Sequence, residues 1–96
     1  MAQNQNKTIV GSGTWTLLTN SDIASCTLQN QNGYAIVLQA TVGTTAPVGL
    51  DGLSFPALMG ERNVALADLL PGVAGANRLW ARNTRAGSCQ VFISHA

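Results

Sequence analysis

The thiols, imidazole and carboxylates of this 96-residue chain are Cys26, Cys89, His95, Asp22, Asp51, Glu61 and Asp68. A Ser–His–Asp or Cys–His site needs its imidazole held rigidly beside a nucleophile. His95 is the single histidine and the penultimate residue, a position where fraying and exposure are expected. Glu61 and Asp68 share one segment and form the best pair for general acid–base work, yet no cleft-lining aromatics cluster with them. The two cysteines stand 63 positions apart and offer no Cys-x-x-Cys spacing for a structural metal. Gly11-Ser12-Gly13 is too short for a phosphate loop and lacks its lysine. We therefore expect no catalytic residues, no metal ligands, no cofactor and no small-molecule substrate.

Composition points elsewhere. Five basic and four acidic residues make up 9% of the chain, against about 25% in an ordinary soluble domain. Twenty-nine residues are Ser, Thr, Asn or Gln. Neutral amides and hydroxyls form hydrogen bonds at an interface without the cost of stripping ions of water. A net charge of +1 gives little electrostatic protection against association. Such a surface suits a protein covered by neighbours. Lys7, Arg62, Arg78, Arg82 and Arg85 are too scattered for the phosphate contacts of duplex binding, so nucleic acid is not expected. The longest apolar run, near Tyr34–Leu38, falls far short of the roughly 20 residues of a membrane span. The amide-rich start is no signal peptide, which implies synthesis in a cytoplasm. There Cys26 and Cys89 are expected as buried thiols, with a late-formed bridge as the alternative.

Residues 1–13 read as a flexible N-terminal arm and residues 14–96 as a single β-rich domain. Within the arm, Lys7, Ile9 and Val10 are the candidates for holding a partner; plain terminal disorder is the other reading. Strand patterns run through Thr14–Thr19, Ser25–Gln29 and Tyr34–Ala40. Asn32-Gly33 favours positive φ and predicts a hairpin between the last two. Gly43, Pro47, Gly49, Gly52 and Pro56 break up the middle of the chain. Asn63–Leu70 is either a short helix capped by Asn63 or a strand through Val64–Leu66 followed by one helical turn. Arg78–Arg82 and Cys89–His95 alternate and predict a second hairpin. The fold expected is all-β: a small antiparallel sandwich or open barrel with at most one short helix. Trp80 shares a strand face with Arg78 and Arg82. It is an exposed anchor if that face is open and core if the strand is covered on both sides. Arg62, Arg78, Trp80 and Arg82 are the candidate subunit interface.

In overall style the chain resembles small virion structural proteins of tailed bacteriophages, most of all head decoration (cement) proteins. The likeness is best in Gly11-Ser12-Gly13-Thr14-Trp15-Thr16, in Leu79-Trp80-Ala81-Arg82 and in Val91-Phe92-Ile93-Ser94-His95-Ala96. The resemblance implies a β-rich subunit, usually a homotrimer, seated on the capsid exterior between copies of the major capsid protein. It brings no catalytic residues. A tail or fibre component recognising the host surface is the alternative.

Overall fold

Strands whose side chains alternate between apolar and polar must bury one face, and this chain does so by stacking two sheets. The computed structural model describes residues 2–96. Its elements are β1 (Gln3–Val10), β2 (Thr16–Leu17), β3 (Ser25–Asn30), β4 (Ile36–Thr41), β5 (Leu53–Phe55), β6 (Gly60–Ala65), α1 (Leu66–Leu69), β7 (Arg78–Asn83) and β8 (Ser88–His95). One four-stranded sheet has the order β1-β8-β3-β6 and the other β2-β7-β4-β5, with every pairing antiparallel. Ile9, Cys26, Leu28, Cys89, Val91 and Ile93 from the first sheet meet Ile36, Leu38, Phe55, Leu79 and Ala81 from the second in one core. Leu18, Ile23 and Leu66 close its ends. The fold is an all-β sandwich, not a closed barrel.

The two expected hairpins are instead crossings between sheets. β3 pairs with β6 and β8, whereas β4 pairs with β5 and β7. Asn30, the last residue of β3, explains the first crossing. Its side chain is fully buried, and Nδ2 donates toward the carbonyls of Tyr34, Phe55 and Pro56 at 2.9, 3.1 and 3.1 Å. Its Oδ1 accepts from the Asn32 backbone N–H at 3.0 Å and from Asn32 Nδ2 at 2.6 Å. That Asx turn folds the chain over the edge of the core instead of back along the same sheet. Asn83 ends β7 in the same way: it is fully buried, donates to Gly87 O at 3.3 Å and accepts from the Arg85 N–H at 3.2 Å. Two asparagines thus do the work assigned to Asn32-Gly33 and to the turn after Arg82.

The segment expected to be a flexible arm is largely β1. All eight residues of Gln3–Val10 pair with β8, from Gln3 opposite His95 to Val10 opposite Ser88. Ile9 drives the docking by burying completely, and Gln3 Nε2 ties the strand's start to Leu18 O at 2.8 Å. Between β5 and α1, the second of the two readings is the nearer. β6 runs through Val64 and α1 adds one helical turn, with Leu66 buried. The cap is Ala65, not Asn63. Asn63 instead takes a left-handed φ of 47° where the β3–β6 register slips between Cys26 and Leu28.

Candidate assembly surfaces

The outer face of the second sheet is closed by the chain itself. Arg82 is the clasp: Nε and Nη2 donate to Leu50 O at 3.0 and 2.8 Å, and Nη1 donates to Ser12 O at 3.1 Å. The guanidinium also lies 5.7 Å from the Trp15 ring centroid, within range of a cation–π contact. Trp15 Nε1 donates to Gly49 O at 2.8 Å and Gln39 Nε2 to Asp51 O at 2.9 Å. Gly52 fits because it lacks a side chain; a Cβ there would strike Leu38 O and Val37 Cγ1. Beneath this cover Trp80 is only 6% exposed, and its Nε1 donates to Thr41 Oγ1 at 2.8 Å.

Those contacts decide the candidate interface residues. Trp80 follows the covered-strand reading and is no surface anchor. Arg82 spends its donors on the chain's own carbonyls. Arg78 is half-buried and pairs with Asp22 at 2.9 Å, an exposed-rim ion pair of the kind worth about 0–1 kcal/mol. Arg62 is exposed on β6, lining a shallow groove of about 410 Å3 with Gln29, Glu61 and Phe92. The four do not form one patch. Among the partner-holding candidates, Ile9 is core, Lys7 is half-buried and Val10 is exposed. Ile9 is hard to find from the pattern, since it shares its strand face with Gln3, Gln5 and Lys7.

A larger groove, of about 570 Å3, opens at one end of the sandwich and is lined by Asp22, Ser25, Cys26, Asn63 and His95 among others. His95 is not the exposed terminal side chain expected: as the inward residue at the end of β8 it is 8% exposed. The Thr27–Ser94 pair sets Cys26 level with it, so a thiol, an imidazole and a carboxylate come near one another. They do not form a relay. Asp22 Oδ1 accepts from Arg78, and His95 Nδ1 lies 3.1 Å from Ala96 O. Burial pushes the Cys26 thiol up to about 11, leaving it protonated and a poor nucleophile at neutral pH. Burial also raises Cys89, partly offset by a hydrogen bond from Asn32. Both thiols are free; six β8 residues separate Cys89 from the level of Cys26, roughly 20 Å. Glu61 and Asp68 lie on β6 and on α1 beyond its far end. Among the described residues, no three His, Cys, Asp or Glu side chains are placed to hold a metal ion.

Two surfaces stand apart from this chemistry. The first is the outward face of the β1-β8-β3 layer. It carries Asn4, Asn6, Thr8 and Val10, then Ser88, Gln90, Phe92 and Ser94, then Ser25, Thr27 and Gln29. No charged side chain stands on it. The second is the segment 42–59, which holds six of the seven exposed large apolar residues among the described residues: Val42, Val48, Leu50, Leu53, Leu58 and Met59. The segment leaves the end of β4, crosses the outer face of the second sheet at residues 49–51 and reaches β6 through the 56–59 turn. Searches against protein families, characterised proteins and solved structures give no match to this chain. Among the described residues, no helix is long and apolar enough to cross a membrane.

Proposed function

We propose that this chain is a non-catalytic structural subunit of a phage virion that decorates and stabilises the capsid exterior by binding between capsid subunits. The observation that carries the reading is the concentration of exposed Val, Leu and Met side chains in residues 42–59, a stretch whose backbone Arg82, Trp15 and Gln39 tie down at residues 49–51. Exposed apolar side chains on held loops suit contact with another protein. Because the loops are ordered before binding, little conformational entropy is lost on docking. The few charges elsewhere keep the desolvation cost low. Clamping neighbouring subunits stabilises a shell by mass action, with no reaction required, and several weak feet on one oligomer reinforce each other.

The alternative of a host-recognising tail tip needs free aromatic side chains. Trp15 and Tyr34 are instead half-buried under arginines, with Arg85 4.6 Å from the Tyr34 centroid. The test is binding of purified protein to empty heads of the phage that encodes it. Saturation at a fixed, symmetric number of copies per shell is expected. Val48→Asp and Leu58→Asp, both at exposed positions, should abolish binding without unfolding the domain. Absent or non-saturating binding would overturn the proposal.

A further inference from the structure

Four strands lie at sheet edges, and three of them are blunted. β2 is two residues long and β5 three. β6 carries a register slip, a left-handed Asn63 and the adjacent charges Glu61 and Arg62. Short length, irregularity and charge are the usual ways a protein keeps an edge from pairing. β1 has none of them except Lys7. It runs eight residues in unbroken register with β8, contains no proline, and its other side carries no strand of this chain.

We propose that this edge pairs with β1 of a second copy, antiparallel about a two-fold axis, merging two four-stranded sheets into one of eight. Facing and charge along the strand narrow the register. To keep both cores on the same side of the merged sheet, residues of like facing must oppose each other. Centring on Lys7 would set two lysines opposite, which is unfavourable. Centring on Asn6 sets Asn6 against Asn6 of the second copy, an amide pair at the axis. Lys7 then faces Gln5 of the second copy, and Thr8 faces Asn4 of the second copy. Val10, 60% exposed in the single chain, lies against Ala2 of the second copy. Strand addition of this kind draws affinity from main-chain hydrogen bonds. The outward face of the merged sheet continues the row of amides and hydroxyls without a charge to desolvate.

This inference rests on the structural-subunit reading and names the contact between copies, made by a strand outside segment 42–59. It predicts a dimeric unit where the resemblance implies a trimer. The test is mass in solution by sedimentation, on wild type and two charge variants, with the fold followed by circular dichroism. Wild type should dimerise, and Asn6→Lys should weaken the dimer about 5-fold by opposing two lysines. Mixing Asn6→Lys with Asn6→Asp should restore dimers. Asn6→Cys should form a cross-linked dimer under mild oxidation, since Cys26 and Cys89 are buried. A monomer at all concentrations, a trimer, or a dimer indifferent to these changes would overturn the proposal. Shell binding assayed in parallel separates the two readings: wild type that dimerises but ignores shells defeats only the capsid role, and monomeric protein that saturates shells defeats only the edge pairing.

Discussion

Asn30 offers the sharpest test of how this sandwich is held together. In Asn30→Ala, the carbonyl of Phe55 loses its donor in a buried setting; in partly buried ones the carbonyls of Tyr34 and Pro56 lose their donor and the N–H of Asn32 loses its acceptor. An unpaired buried polar group costs about 1–3 kcal/mol, and partly wet groups cost less. The sum is about 3 kcal/mol, a large share of the roughly 5–15 kcal/mol that holds a domain. For a chain of this size that lowers Tm by about 12–24 °C. Asn30→Asp keeps the shape and the bonds accepted from Asn32, but turns an oxygen toward three carbonyls. It should cost more than Ala at neutral pH, because a carboxylate there has no donor facing it. Burial beside those carbonyls raises the new carboxyl's folded pKa above its unfolded value. The folded state then holds the extra proton, so this variant should regain stability as pH falls toward the unfolded value. Urea unfolding at neutral and mildly acid pH measures both effects. A loss under about 1 kcal/mol for Ala, or an Asp variant no worse than Ala at neutral pH, would refute this account of the crossing.

Three further outcomes follow from the same geometry. Gly52→Ala should lift the covering loop off Val37 and Leu38, costing about 1–3 kcal/mol by overpacking and red-shifting tryptophan fluorescence as Trp80 wets. Arg82→Lys cannot reproduce the forked donation to Leu50 O and Ser12 O; it should lose about 1–2 kcal/mol, with faster amide exchange through residues 49–52. Because the Cys26 thiol rises from 9.0 to about 11 on folding, the unfolded chain loses that proton first. Cys26 should make stability fall above pH 9 by at most about 1.4 kcal/mol per pH unit, and Cys26→Ala should remove that share of the slope and leave the part due to Cys89.

Much of the strand inventory was legible because alternation alone reveals it: Cys26 with Leu28, Leu79 with Ala81, and Cys89 with Val91 and Ile93 face inward as their spacing dictates. Sheet membership was not legible. A short turn after Leu28 or after Arg82 serves a hairpin and a crossing equally well. The difference lies in Asn30 and Asn83, polar residues that end apolar strands and bury because the turn beyond satisfies them. β1 escaped notice because Gln3, Gln5 and Lys7 mask its inward face, leaving Ile9 as the one apolar sign. Trp80 was ambiguous because its sheet neighbours Gln39 and Arg82 are tied to a loop some 30 residues away in sequence, at Asp51 and Leu50. The candidate interface was least legible of all, since exposed Val48 and Leu58 look in sequence like any core residue.

Pairing Gln3 with His95 has a practical corollary. Residues 3 and 95 stand side by side, about 5 Å apart between Cα atoms, so a few glycines would join residues 2 and 96 without strain. New ends could then be opened between residues 44 and 46, in an exposed turn that belongs to no strand. The permuted molecule would keep every rung of both ladders while turning its longest-range pairing into a local hairpin. Since distant pairings slow folding by the entropy of closing long loops, the circularly permuted form should fold faster than the parent at similar stability.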